Sequence, residues 1–371
     1  MRKPTVLLII GARPQFIKSA PIIKEILSND KNIGLQIVHS GQHYDPEMSA
    51  IFFHELHIPK PLVNLRVGSG SHATQTAAMI QRLEQVLVEK KPDMAIVPGD
   101  TNTTLGGALA AAKLGIPVAH VEAGLRSDDI TMPEEINRRL TDHCSTLLFA
   151  PTRNAASTLR NEGFREQVYL TGDTMVDALR TTMPIVEKRQ DAILDRLEAV
   201  PNNCALVTLH RPSNVDDPTR LGQIHYALRK IARKIPVIFP VHPRTRSKLA
   251  KLDLLNRTKR YGISLGAPQG YVESLALLRN SGCLLTDSGG MQKESFLLRV
   301  PCITLRSNTE WPETLRANAN SLVADPQRVA KAVTFAAFDE GLKRSLRRLG
   351  NPFGDGRAAV RIARIVENAL H

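Results

Sequence analysis

The amino-acid sequence predicts an α/β protein of two Rossmann-like domains with a ligand cleft between them, and three observations carry that expectation. Short aliphatic and β-branched runs alternate with longer helical patterns along the whole chain, the signature of βαβ units and parallel sheets. The alternation pauses over the charge-rich stretch Asp177–Asn203, which ends in Pro-Asn-Asn, and then begins again, so a domain boundary is placed near there. A length of 371 residues, 42% hydrophobic and 23% charged, suits two ordinary globular domains and excludes disorder for most of the chain.

In the first half the expected strands are Val6–Ile10, Leu35–His39, Met94–Pro98, Val118–Glu122, Leu147–Ala150 and Val168–Leu170. Helices are expected between them at Phe16–Leu27, His72–Lys90, Thr103–Leu114, Glu134–Cys144 and Ala155–Glu162. The stretch 72–90 is the clearest, because Ala77, Ile80, Leu83, Val86 and Leu87 recur at helical spacing. The second half offers strands at Ala205–Leu209, Val237–Val241, Ile263–Leu265, Cys283–Thr286, Cys302–Leu305 and Ser321–Val323. Its helices are expected at Asp217–Lys234, Tyr271–Asn280, Met291–Leu298, Gln327–Phe338 and Arg357–Leu370.

Several function classes are excluded early. The longest apolar runs, such as Val6–Ile10, fall far short of the ~18–20 residues of a membrane span. The basic start before Pro4 is followed by only five apolar residues, too few for a signal-peptide core of ~7–15, so the N-terminus reads as a first strand. Cys144, Cys204, Cys283 and Cys302 show no paired spacing, and three of them sit in apolar surroundings; reduced thiols and a cytoplasmic location are expected, with no metal site. A net charge of +13 suits an acidic partner such as a phosphorylated metabolite, anionic lipid or nucleic acid. Arg229–Arg260 holds eleven Lys or Arg and one acid, but only Phe239 for base stacking, so solvated helix faces are the better reading of that excess.

Ligands of parallel sheets bind beyond the carboxyl ends of the strands, and this chain repeatedly places polar residues there. Gly11-Ala-Arg13, His39-Ser-Gly-Gln42-His43, Gly99-Asp100 and Glu122-Ala-Gly follow strands of the first half; His210-Arg211, His242-Pro-Arg244 and Asp287-Ser288-Gly289-Gly290 follow strands of the second. A single strand-end Asp or Ser is ordinarily a helix cap, but seven such positions exceed what capping explains. Asp287–Glu294 reads equally as a tight capped turn or as a glycine turn whose backbone N–H groups meet a diphosphate. Arg13 and Lys18 bracket the first helix start, as a clamp for the same anion or as surface charges. Asp100, Glu122 and Glu134 are carboxylates suited to proton exchange with a substrate carbon. Against that, Asp100 reads as a cap for the following helix and Glu134 as an ordinary acidic helix start after Pro133, whereas an acid after Ala119-His-Val is expected nearly buried. His210 reads as a core histidine, tilted toward anion binding by Arg211. No GxGxxG follows a strand, so no nicotinamide cofactor is expected.

Six motifs in order, Gly11-Ala-Arg-Pro-Gln-Phe-Ile-Lys18, Ser40-Gly-Gln-His43, Gly99–Thr104, His120-Val-Glu-Ala-Gly-Leu-Arg126, Pro133-Glu-Glu-Ile-Asn-Arg138 and Asp287–Glu294, together resemble the non-hydrolysing UDP-N-acetylglucosamine 2-epimerase family. The likeness runs to Asn351–Gly356. It implies a glycosyltransferase-B type fold, with residues 1–178 and a final helix at 357–371 in one domain and 179–356 in a UDP-binding domain. It implies interconversion of UDP-GlcNAc and UDP-ManNAc for polysaccharide precursors, by elimination of UDP to a 2-acetamidoglucal and its re-addition, without a cofactor. Asp100, Glu122, Glu134 and His210 match the family's catalytic positions. Arg13, Lys18, Arg138, Ser288, Gly289, Gly290 and Glu294 match positions that bind substrate and UDP, and Gln42, His43, Arg211 and His242 a regulatory second site. A homodimer is implied, with a UDP-sugar as ligand and neither nucleic acid nor membrane as partner.

Gly-Ala-Arg-Pro-Gln, His-Pro-Arg-Thr-Arg and Thr309-Glu-Trp are similar to a branch that includes 2-epimerases of UDP-2,3-diacetamido-2,3-dideoxyglucuronate, which makes that sugar the alternative substrate. The loop Asp128–Met132, Asp45-Pro46 and Trp311 depart from the commonest members. Two rival readings are a glycosyltransferase on the same fold, which has no reason to gather three carboxylates, and a basic nucleic-acid-binding protein.

Overall fold

The computed structural model describes residues 2–28, 32–42, 52–197 and 199–371, with the backbone alone at 259. It divides into two compact units, Met1–Thr181 with Asn351–His371, and Thr182–Gly350. Both are parallel-sheet α/β units, as the sequence predicts.

The first unit runs β1 (Thr5–Ile10), α1 (Arg13–Ser28), β2 (Gly34–His39), β3 (Val63–Asn64), α2 (His72–Lys90), β4 (Met94–Pro98), α3 (Asn102–Lys113), β5 (Val118–Val121), α4 (Pro133–Cys144), β6 (Leu147–Ala150), α5 (Arg153–Asn161), β7 (Val168–Leu170) and the start of α6 (Thr174–Arg196). Its seven strands lie in the order β3-β2-β1-β4-β5-β6-β7, all parallel. Strands covered on both faces need apolar side chains at every position, which is why Val6–Ile10 and Met94–Val97 are continuous aliphatic runs, each residue at most 2% exposed. Strand β3 escapes sequence reading because only Val63 and Asn64 pair, with Val38 and His39; two residues carry no periodicity.

The second unit runs β8 (Ala205–Thr208), α7 (Pro212–Val215), α8 (Pro218–Ala232), β9 (Val237–Pro240), α9 (Pro243–Lys251), α10 (Leu254–Arg260), β10 (Ile263–Gly266), α11 (Tyr271–Arg279), β11 (Cys283–Thr286), α12 (Gly289–Leu298), β12 (Cys302–Thr304), a 3-10 helix (Pro312–Asn318), β13 (Asn320–Leu322), α13 (Pro326–Phe338) and α14 (Glu340–Arg347). Its sheet order is β10-β9-β8-β11-β12-β13. Helices α9 and α14 are short and strongly charged and bury few residues, Thr245 and Leu249 in one and Leu346, with Leu342 packed against the core, in the other, so the apolar signal of each is slight.

After α14 the chain returns to the first unit as α15 (Ala358–Leu370), which packs on α1. The Asp177 carboxylate accepts the first free amides of α15, from Ala358 at 3.2 Å and Ala359 at 3.0 Å, the usual remedy for an uncapped helix N-terminus. Burial pushes the Asp177 carboxyl above the usual carboxylate range despite those bonds.

Each strand order reverses direction once, between β1 and β4 in the first unit and between β8 and β11 in the second. At such a switch point the connections leave on opposite faces and open a crevice beyond the strand ends. Gly11–Arg13 and Gly99–Asp100 stand at the first crevice, His210–Arg211 and Asp287–Gly290 at the second.

Candidate active site

In the first unit the crevice is built by close backbone packing. A Cβ added to Gly11 would sit 1.7 Å from Ser40 Oγ, so the β1 exit can follow this path only as glycine. Gln15, 1% exposed, accepts from the amides of Gly11 (2.9 Å) and Ala12 (3.0 Å) and donates to the Pro98 carbonyl (2.9 Å), tying the ends of β1 and β4 together.

Glu122 lies one residue beyond the end of β5, not in it as the sequence suggests, with φ +75. That left-handed conformation costs a non-glycine residue about 1–3 kcal/mol and aims the side chain differently from a strand residue. As expected the residue is nearly buried, at 4% exposure, and its carboxylate pairs with the Lys18 ammonium. Gly99, also at positive φ, lies against this pair: a Cβ there would be 3.7 Å from Lys18 Nζ and 3.8 Å from Glu122 Oε2.

Asp100 does not cap α3. Thr101 does, its hydroxyl accepting from Thr104 N in a full capping box, which leaves the Asp100 carboxylate for another partner. It accepts from Arg138 at 2.6 Å and is 28% exposed, more open than Glu122 or Glu135. Arg138, 1% exposed, also donates to Glu135 at 2.6 Å. Glu134 is half-buried on the first turn of α4 and forms no hydrogen bond or ion pair with the described residues. Its neighbour Glu135 is fully buried; burial pushes its carboxyl up, but Ser127 N–H and the guanidinium groups of Arg138 and Arg139 outweigh that and hold it below the ordinary range.

Sequence reading missed one group behind this site. His120, on β5 and fully buried, has Nδ1 2.7 Å from Asp142 Oδ1 and Nε2 2.7 Å from the Gly99 carbonyl. The ring thereby bridges Asp142 to the Gly99 carbonyl and pins the Gly99–Asp100 loop. Asp142 is also bonded by Gly124 N–H and paired with Arg126 at 2.8 Å; although burial opposes it, His120 and Arg126 keep this carboxyl depressed. The signal was present in His120-Val-Glu122, but only strand register reveals that the ring reaches the end of β4.

Lys18 faces Glu122, whereas the Arg13 guanidinium lies 4.5 Å from the centroid of the Phe52 ring.

In the second unit Asp287, 0% exposed, organises the crevice. Its carboxylate accepts from the amides of His210 and Arg211 and from Asn214 Nδ2, all at 3.0–3.1 Å, and stands 3.0 Å from His210 Nδ1. Burial would raise its pKa, but the His210 ring and these donors hold it depressed. His210 is not a core histidine: its side chain is 41% exposed, with one nitrogen oriented by Asp287, the arrangement that leaves the other for a ligand.

Ser288 caps α12, accepting from Met291 N at 3.5 Å, so the capped-turn reading holds for its hydroxyl while the turn still presents the helix N-terminus. Gly289 is required by packing: a Cβ would fall 2.1 Å from Glu310 Oε1 and 3.5 Å from Trp311 Nε1. Gly290 meets only Ser288 Oγ, at 4.0 Å. Glu310 is flanked by Arg306 at 2.8 Å and Arg211 at 3.8 Å, and Trp311 stacks on the buried Lys293 ammonium, 3.8 Å from its ring centroid. The Thr309–Glu313 segment thus forms the wall of the turn. Glu294, 5% exposed, lies on α12.

Of the positions assigned to a second site, Gln42 accepts from the Thr103 hydroxyl at 2.7 Å in the first unit. In the second, Arg211 donates to the Asp287 carbonyl at 2.9 Å and the His242 ring lies 5.7 Å from that of His210. His43 lies outside the described residues. Among the described residues no group of three or more His, Cys, Asp or Glu is placed to hold a metal ion. Cys204, Cys283 and Cys302 are buried free thiols, as expected, and burial raises all three, Cys302 to about 12.

Comparison with known proteins gives a consistent result. The family model for UDP-N-acetylglucosamine 2-epimerase matches residues 25–367. A UDP-N-acetylglucosamine 2-epimerase homolog of Methanococcus maripaludis is 46% identical over 365 residues, covering 98% of this chain and 99% of that one. A UDP-2,3-diacetamido-2,3-dideoxy-D-glucuronate 2-epimerase of Pseudomonas aeruginosa is 43% identical, covering 96% and 98%. The crystal structure of Methanocaldococcus jannaschii UDP-GlcNAc 2-epimerase in complex with UDP-GlcNAc and UDP aligns with TM-score 0.91 at 44% identity, covering 98% of this chain and 99% of that one.

Proposed function

The chain belongs to the UDP-N-acetylglucosamine 2-epimerase family, and from that premise we propose that it interconverts UDP-GlcNAc and UDP-ManNAc by eliminating and re-adding UDP. The observation that carries the reading is the part-buried Lys18–Glu122 pair against the Gly99–Asp100 loop at a switch-point crevice, with Arg138 on Asp100. It supplies more than one carboxylate beside a single crevice, and a reaction that removes a proton on one face and returns it on the other would use more than one such group.

The hydrogen on C2 of the sugar is not acidic, because no carbonyl is attached to that carbon. Departure of UDP makes C1 cationic, and loss of the C2 proton to a carboxylate then gives a neutral glycal. Reprotonation at C2 from the opposite face, with UDP returning to C1, gives the epimer. In this reading Asp100, Glu122 and Glu134 exchange the proton and stabilise the cationic ring. His210, oriented by Asp287, and the Ser288–Gly290 amides hold the departing diphosphate together with Arg13 and Lys18, and Glu294 holds the nucleoside. Lys18 pairs with Glu122, and Arg138 positions Asp100. Gln42, Arg211 and His242 contribute to a regulatory site for a second UDP-sugar.

Turnover in D2O is the direct test. Deuterium is expected at C2 of the product, and slow release of free UDP and glycal on long incubation; retention of the original hydrogen would sink the elimination route. The same NMR assay across a panel of nucleotide sugars decides between UDP-GlcNAc and UDP-2,3-diacetamido-2,3-dideoxyglucuronate, the substrate named for the Pseudomonas aeruginosa relative.

A cytoplasmic role in supplying polysaccharide precursors, as a homodimer, completes the proposal. Free buried thiols support a reducing compartment. The apolar groove lined by Ala73, Ala77, Ile80, Pro133 and Ile136 on α2 and α4, with Ile136 48% exposed, supports a second copy on that face of the first unit. Light scattering should give twice the chain mass of 40.9 kDa, and a monomer mass would remove the dimer from the reading.

A further inference from the structure

The excess positive charge is not shared between the units. The second holds 27 Lys and Arg against 15 Asp and Glu, while the first is nearly balanced at 22 against 21. A phosphorylated metabolite needs a few cations in a crevice, not a net charge of +12 over 169 residues.

Part of that charge is ordered along two neighbouring helices. Helices α8 and α13 pack together over one face of the second sheet, burying Leu221, Ile224, Val329 and Val333 in a common core. Neither contains an acid. On α13 the exposed positions Arg328, Lys331, Phe335 and Phe338 recur at i, i+3, i+7 and i+10, a single stripe facing away from the core. On α8 the corresponding stripe is Gln223, Tyr226, Lys230 and Arg233, all exposed. Phe335, Phe338 and Tyr226 are 63%, 53% and 54% exposed, in a chain with only 4% aromatic residues. Beyond Phe338, α14 and its end add the exposed Arg344, Arg347 and Arg348. Asp339 and Glu340 come between Phe338 and these arginines, and Glu340 is paired with Lys343 at 2.9 Å.

We infer that the α8–α13 face of the second unit docks on an anionic lipid surface, with Phe335 and Phe338 entering the acyl boundary and the surrounding Lys and Arg meeting headgroups. Exposed aromatics beside Lys and Arg on two helices that carry no acid within their length are the composition of interfacial helices. Single-stranded nucleic acid instead calls for aromatics interleaved with cations along a groove. Here Arg328 and Lys331 occupy one end of the α13 stripe and the two phenylalanines the other. The expectation of no membrane partner stands against this inference. No described helix is long and apolar enough to cross a bilayer, which does not bear on a peripheral contact.

The test is co-sedimentation of the full chain with phosphatidylcholine vesicles containing about 30 mol% phosphatidylglycerol, at ~0.1 M salt. Binding to these vesicles and not to phosphatidylcholine alone is expected. The Phe335→Ser/Phe338→Ser variant should lower the partition coefficient by at least about tenfold. The Lys230→Glu/Lys331→Glu variant, which leaves the aromatics in place, should lower it by a similar factor. Both pairs lie outside the proposed catalytic residues, so turnover of the UDP-sugar should stay unchanged and report intact folding. Absence of binding overturns the inference, as does binding that the phenylalanine variant leaves untouched. Phenylalanine-dependent retention of a single-stranded oligonucleotide without vesicle binding would assign the face to nucleic acid instead.

Discussion

Glu122→Gln and Asp100→Asn are each expected to lower turnover of the UDP-sugar by at least about a hundredfold, the usual contribution of a positioned proton-transfer group. The two substitutions keep shape and remove charge, but they act differently. Glu122 is 4% exposed and paired with Lys18, so its amide leaves an ammonium with 12% side-chain exposure short of its anion. A fall in thermal midpoint should accompany the fall in kcat. Asp100 is 28% exposed on its side chain, and its amide can still accept from Arg138; kcat should fall with the midpoint nearly unchanged. In the elimination reading neither change should spare exchange of the C2 hydrogen with D2O while abolishing the product. Near-normal turnover in both variants would remove these carboxylates from the reaction, whatever the family membership.

The sequence contained much of this site because its residues follow strands, and strands buried on both faces are visible as unbroken aliphatic runs. Val6–Ile10 and Met94–Pro98 announce where Gly11 and Gly99 must lie, and a parallel sheet puts both at the same edge. What could not be read is which side chain faces which. Lys18 and Arg13 stand five residues apart, a spacing that suits one anion for both, but it does not tell that Lys18 pairs with Glu122 while Arg13 lies on Phe52. Asp100 reads as a cap from its position, a role that Thr101 holds in the structure. His120 and Asp142 are 22 residues apart in sequence and meet only because α4 returns across β5. Helix α9 hides for the opposite reason, with so little buried that its charges mask the period.

The second large effect is expected at Arg138, whose removal should destabilise the first unit by about 3–5 kcal/mol, the cost of leaving a buried charge without its partner. Its side chain is 1% exposed and donates to Asp100 and Glu135 at 2.6 Å each, so Arg138→Met strands two carboxylates with one substitution. Glu135 suffers most: it is fully buried, and Ser127 and Arg139 remain as its donors. Arg138→Lys keeps a cation but cannot reproduce the planar fork that spans both acids, so it should fall between wild type and Arg138→Met. Glu135→Gln combined with Arg138→Met removes the buried pair together and should recover part of the loss, giving a coupling energy above about 0.5 kcal/mol in a double-mutant cycle. Urea unfolding monitored by a probe in each unit would measure these values, since two units need not unfold in one transition. An Arg138→Met variant within about 1 kcal/mol of wild type would mean that this guanidinium is not what balances the two acids, and would point instead to a role for Arg138 on the substrate alone.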